Sequence, residues 1–191
     1  MKVVVVGLGA LGSHLVLNAR NFPVDWVFCD FDSVELKNLK SQWFTKQGVG
    51  VNKAQAAALA LRQFYGVQAR TFPVELKEHN VTQVMGDAQL VVDAVDNAPT
   101  RDLISAWGTK VGVPVLHLAI SAGGDFGRVA WTAPGHPVFQ ADSAPPGTPT
   151  CEDGGMLPRI ALVASVGAEA LREGLQGVFR DHNVAPGRFR V

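Results

Sequence analysis

VVVVGLGALG, residues 3–12, decides the fold. Four consecutive valines suit a strand buried on both faces, the habit of the central strands of a parallel sheet. The run ends in Gly7, Gly9 and Gly12, a GxGxxG spacing at the junction of the predicted strand with a predicted helix, where backbone N–H groups are free to cradle phosphate. The helix is expected over Leu11–Arg20, because Leu11, Leu15, Val16 and Ala19 share one face. Asp30, 18 residues beyond Gly12, closes a second predicted strand at Trp26–Cys29 and stands where a carboxylate would hold a ribose hydroxyl. These residues favour a nucleotide site over a purely structural tight turn. A nicotinamide-dependent oxidoreductase would share the pattern.

Outward from this motif, helix and strand alternate. Residues 52–64 (NKAQAAALALRQF) are alanine-rich, with Asn52 available as an N-cap. An extended stretch at Val67–Val74, a short helix at Val81–Met85, buried-strand patterns at Leu90–Ala94 and Val113–Ile120, and a helix at Thr100–Lys110 complete the series. The expected fold is α/β: a doubly wound, Rossmann-like, mostly parallel sheet with helices on both faces, in one domain over residues 1–191. Gly127–Ala133 reads as a further strand and Ile160–Leu175 as a last helix. Between them, residues 134–158 hold six of the eleven prolines, an irregular loop of a length that is usually functional. The tail RDHNVAPGRFRV reads as a loosely held terminus.

Composition sets limits. Seventeen Lys+Arg against 17 Asp+Glu give a net charge of zero, which argues against a polycationic binder of nucleic acid or of an anionic membrane. The apolar stretches fall short of a bilayer span. Two cysteines, Cys29 and Cys151, make neither a disulfide framework nor a four-thiolate zinc site. A cytoplasmic protein is expected.

The segment after Asp30 separates the nucleotide readings. Asp32, Val34, Asn38, Leu39 and Gln42 lie in DFDSVELKNLKSQ, Gly50 and Lys53 in GVNKAQAAA, and Asp93, Asp96, Asn97 and Arg101 in VVDAVDNAPTR. With PTCEDGGMLPRIALVASVGAEAL at 149–171, this succession resembles the E1-like adenylyltransferase family that contains MoeB, ThiF and the ubiquitin-activating enzymes. The resemblance covers nearly the whole chain, in order. It implies ATP and magnesium as cofactors and a carboxylate substrate, by default the C-terminus of a ubiquitin-like or sulfur-carrier protein, with a small-molecule carboxylate as the other choice. It also implies a homodimer. By the same resemblance Gly7, Gly9, Ala10, Leu11 and Gly12 lie along the nucleotide and Asp30 holds the ribose. Asn38 and Gln42 hydrogen-bond around phosphate or ribose, Lys53 neutralises charge on the phosphates, and Asp96 holds magnesium, with Asn97 and Arg101 shaping its loop. Asp32 is a supporting hydrogen-bonding residue. Cys151 matches the cysteine that links covalently to the activated carrier in some members. Cys29 reads as packing, and His14, His117 and His136 as structural or solvated.

Three departures accompany the match. Where many members read NLxRQ, Ser41 replaces the arginine that contacts the phosphates. The N-terminal extension found in MoeB-like and ThiF-like members has no expected counterpart, since Val3 already lies in the first strand. The zinc-binding CxxC pairs are missing, so no structural zinc is expected. The alternatives are thus a non-catalytic E1-like subunit that completes its site with another chain, and the oxidoreductase.

Overall fold

A computed structural model describes residues 1–121, 123–133 and 154–185. Its sheet has seven strands in the order β3-β2-β1-β4-β5-β6-β7: β1 (Lys2–Val6), β2 (Asp25–Cys29), β3 (Ala69–Phe72), β4 (Leu90–Asp93), β5 (Val115–Ile120), β6 (Gly127–Thr132) and β7 (His182–Val184). The first five pair in parallel, and β6 and β7 add antiparallel. The helices are α1 (Ala10–Ala19), α2 (Lys53–Tyr65), α3 (Val81–Met85), α4 (Ala98–Val111) and α5 (Leu157–Gly174).

The valine run behaves as its composition requires. Val3 and Val5 join the core formed with α1, α2 and α5, while Val4 and Val6 join the core formed with α3 and α4. Period-2 alternation thus feeds both faces of one strand, which leaves no room for polar residues. Gly167 lets α5 approach closely: a Cβ there would lie 2.7 Å from Leu118 Cδ2 and 3.2 Å from Leu15 Cδ1. Among the described residues, no helix is long and apolar enough to cross a membrane.

Several boundaries follow from identifiable caps. The Asn52 side chain accepts from the N–H groups of Ala54 and Gln55 and starts α2, which ends at Gly66 in the left-handed region (φ 71°). Asn97 caps α4 by accepting from Thr100 N–H at 3.0 Å, so that helix begins two residues before the expected Thr100.

Two expectations need correction. The tail is not loose throughout, because His182–Val184 pairs with β6. It is anchored by Asp181, which accepts from Trp131 N–H at 2.9 Å, and by the Phe179 ring against Trp131 at 4.9 Å between centroids. Nor is the irregular stretch irregular to its end, since α5 starts at Leu157 with Pro158 in its first turn. Residues 134–153, with His136 and Cys151, lie outside the described residues, as do 186–191.

Candidate nucleotide site

In the strand order, β1 lies between β2 and β4, so chain direction around the sheet reverses beside its C-terminal end, the place where open α/β sheets form a crevice. The glycine turn sits there for steric reasons. Gly7 has φ +89°, and a Cβ on it would lie 2.7 Å from the Ala94 carbonyl oxygen and 3.0 Å from Val95 N; one on Gly12 would lie 1.9 Å from the Gly7 oxygen. Both glycines let backbone approach backbone. At Gly9, by contrast, a Cβ would meet nothing within 4 Å. Gly9 caps α1 without a side-chain hydrogen bond, and the helix ladder begins with Ser13 N–H donating to the Gly9 carbonyl at 3.0 Å. The first-turn amides of Ala10, Leu11 and Gly12 therefore have no acceptor within the helix and suit an anion.

Asp30 is buried and locks this turn. Its Oδ2 accepts from Leu8 N–H at 2.6 Å and its Oδ1 from Asp32 N–H at 2.9 Å. Burial raises its pKa above the ordinary carboxylate value, and the two N–H donors and nearby Lys53 work against that rise. Each carboxylate oxygen keeps a lone pair for a further donor such as a hydroxyl.

Lys53 opens α2 but is not a solvated helix lysine. It is buried, its Nζ lies 2.9 Å from Asp32 Oδ2, and its N–H donates to the Asp32 carbonyl at 2.8 Å. Asn52 Nδ2 completes the junction, donating to the carbonyls of Asp30 and Asp32 at 2.8 and 3.0 Å. The sequence reading identified Asn52 only as a cap. Its second role depends on the loop after β2 folding back onto the start of α2, which propensity does not encode.

The 38–43 segment is tied to the first turn of α1. Ser13 Oγ accepts from Trp43 N–H at 3.0 Å, and His14 Nε2 lies 3.2 Å from the Ser41 carbonyl. Burial lowers the His14 pKa, and the hydrogen bond with the Ser41 carbonyl works against that fall. Asn38 is buried and its Oδ1 accepts from Glu35 N–H at 2.8 Å, a local turn bond. Gln42 is half-buried, and its buried Oε1 has no hydrogen-bond partner among the described residues. Cys29 is buried, its thiol donates to the Val74 carbonyl at 3.4 Å, and burial together with Asp30 pushes its pKa up to about 12, which makes it unreactive packing.

On the β4 side, Asp96 is exposed and has no hydrogen-bond or ion-pair partner among the described residues. No cluster of three or more His, Cys, Asp or Glu that could hold a metal occurs among those residues. Magnesium asks for less, since it commonly takes one or two carboxylates plus substrate phosphate oxygens. A free carboxylate two residues past the Ala94 carbonyl that abuts Gly7 fits that requirement. Asp93 behind it is fully buried and meets Arg101 and His117. The fold therefore brings together the glycine turn, Asp30, Asp32, Lys53 and the Asp96 loop, with the 38–43 segment tied to α1. It assigns Asn38 and Asn97 to local capping.

Comparison with known proteins agrees with this geometry. The profile of the ThiF family matches residues 1–189. The SAMP-activating enzyme E1 of Haloferax volcanii is 31% identical over 196 residues, covering 98% of this chain and 71% of that protein. The sulfur carrier protein ThiS adenylyltransferase of Bacillus subtilis is 30% identical, with 86% of this chain and 51% of that protein covered. The sulfur carrier protein adenylyltransferase of Thermus thermophilus is 33% identical, over 90% of this chain and 68% of that protein. Among solved structures, E. coli MccB with AMPCPP and MccA superimposes with a TM-score of 0.77 at 15% identity, covering all of this chain and 65% of that one. PaaA gives 0.75 at 18% identity, over 99% of this chain and 62% of that one.

Proposed function

This chain belongs to the ThiF family, and from that premise we propose that it adenylates the C-terminal carboxylate of a sulfur-carrier or ubiquitin-like protein at the expense of ATP, acting in the cytoplasm as a homodimer. The observation that carries the reading is the glycine turn itself: first-turn amides open to an anion, flanked by a buried lysine on one side and a free carboxylate on the other. The relatives from Haloferax, Bacillus and Thermus are named for carrier-protein activation, and the MccB structures include one with ATP.

In the proposed reaction a carboxylate oxygen attacks the α-phosphorus of ATP, the new acyl–phosphate bond forms, and the bond to the pyrophosphate oxygen breaks. Catalysis of such a displacement is chiefly positioning and stabilisation of developing charge. The amides of Ala10, Leu11 and Gly12 bind phosphate oxygens and Asp30 accepts a ribose hydroxyl. Gln42 Oε1 accepts from a nucleotide donor, and Lys53 turns its charge from Asp32 toward the phosphates. Asp96 would hold magnesium, which supplies further neutralisation of the triphosphate. Cys151 is proposed as the residue that receives the activated acyl group.

Radiolabelled pyrophosphate exchange into ATP, with candidate carrier proteins and small carboxylates, tests the reading. Exchange that requires a carrier C-terminus and is lost in Lys53→Ala and Asp96→Ala supports it. Exchange driven by a small carboxylate alone would replace the substrate class. Nucleotide binding without exchange for any carboxylate would favour a subunit that completes its site with another chain, as Ser41 in place of the phosphate-contacting arginine suggests. Stabilisation by NAD without an effect of ATP would favour the oxidoreductase.

A further inference from the structure

Behind the proposed magnesium residue lies a polar network that the reaction as described does not use. Asp93 closes β4, and each of its oxygens is engaged. Oδ1 accepts from Val95 N–H at 3.1 Å; Oδ2 accepts from Arg101 Nε–H at 2.8 Å and lies 2.7 Å from His117 Nδ1 on β5. Arg101 Nη2 donates to the Val95 carbonyl and, at 3.2 Å, to the Leu118 carbonyl. His117 Nε2 in turn lies 3.0 Å from Thr132 Oγ1 on β6. Both backbone polar groups of Val95 are therefore held by one network, and the next residue is Asp96. The Gly7 turn packs against the Ala94–Val95 peptide, at distances that exclude a Cβ.

All four side chains are buried: Asp93 and His117 fully, Thr132 and Arg101 nearly so. An apolar set of similar volume would hold three strands together at least as well, because replacing buried ion pairs by hydrophobic residues is often neutral or stabilising. What the polar set adds is direction. A carboxylate oxygen only accepts, so His117 Nδ1 carries the hydrogen that Asp93 Oδ2 receives, and the contact of Nε2 with Thr132 Oγ1 on the other side fixes the ring plane.

We infer that His117 is a positioning residue for the Asp96 loop: backed by Thr132, it orients Asp93, and through Asp93 and Arg101 it fixes the Val95 peptide and hence the carboxylate that receives the divalent cation. The inference rests on the proposed role of Asp96. It assigns His117 and Thr132 a part in cation affinity although neither touches the cation, as residues that orient a ligand from behind commonly do.

The experiment has two readouts on the full chain. One is the magnesium concentration needed for half-maximal binding of AMPCPP, set against AMPCPP affinity without metal. The other is amide exchange at Val95 and Asp96 in metal-free protein, referenced to β1 amides. His117→Leu should raise the magnesium requirement by about 10- to 100-fold, leave metal-free nucleotide affinity within about twofold, and accelerate exchange at Val95 and Asp96. His117→Asn, whose Nδ2–H can replace the ring Nδ1–H, should recover most of both effects. Thr132→Val, isosteric but lacking the hydroxyl, should show a smaller change in the same direction and carries the test if His117→Leu does not fold. Unchanged magnesium requirement and exchange in the His117 and Thr132 variants, with a raised requirement in Asp96→Ala, would overturn the inference. So would equal loss of metal-free and magnesium-dependent binding that His117→Asn does not rescue, which is the signature of a packing role. If Asp96→Ala itself leaves the magnesium requirement unchanged, the reading of Asp96 fails and the inference falls with it.

Discussion

Two ion pairs flank the glycine turn, and they differ in what they can give up. Arg101–Asp93, on the β4 side, joins a guanidinium to a carboxylate that is 0% exposed and already shared with His117. Lys53–Asp32, on the β2 side, joins an equally buried cation to a carboxylate that is 48% exposed. The first pair is closed off from solvent, and Arg101 also bonds the carbonyls of Val95 and Leu118, so its charge fixes backbone. The second can exchange, because water, phosphate or a cation can replace either member at the exposed end. Pairs of like chemistry thus divide into scaffold and site according to the solvent exposure of one carboxylate.

The comparison is broken most severely at Arg101. Arg101→Ala leaves Asp93 buried without its cation and should cost about 3–5 kcal/mol of stability, read as a lowered denaturation midpoint in urea. Lys53→Ala should do the reverse, leaving the melting temperature nearly intact while pyrophosphate exchange falls by about 10²- to 10³-fold, as for loss of one preorganised charge-stabilising donor. Equal stability losses in the two variants would abolish the distinction. A finer test is Asp32→Asn, which keeps an acceptor for Lys53 but removes the competing charge. Since half-exposed pairs are worth about 0.2–1 kcal/mol, nucleotide binding should tighten by about 1.5- to 5-fold, measured by calorimetry.

The smallest effect lies at His14, on the first helix. Burial lowers its pKa below the ordinary 6.5, so the unfolded chain binds more protons than the folded one once pH falls below 6.5. Stability should therefore decline as pH drops through 6.5 toward the lower folded value. His14→Gln should flatten that part of the melting-temperature profile, and an unchanged slope would assign it to other groups.

Much of this organisation was legible because it is local. Gly7 and Gly12 are required by a turn made of their own neighbours, Asn52 and Asn97 cap helices within three residues, and the valine run reports burial on both faces directly. The network behind Asp96 was not legible. His117 inside a strand reads as an isolated polar residue until β4, β5 and β6 are placed side by side. Lys53 is legible only through the family resemblance, and its burial and ion pair with Asp32 arise once the loop after β2 meets the start of α2. β7 was missed because three residues paired at a sheet edge leave almost no periodic signal.

The sequence by itself determined the layered α/β architecture, the place of the glycine turn and the family to which the chain belongs, since strand burial, helix periodicity and glycine spacing are short-range properties. Only the tertiary structure decided which carboxylate is locked and which is free, and that a histidine two strands from β1 aligns the backbone before Asp96. Exposure and hydrogen-bond partnership are set by residues far apart in the chain, and they exist only once the strands are in register.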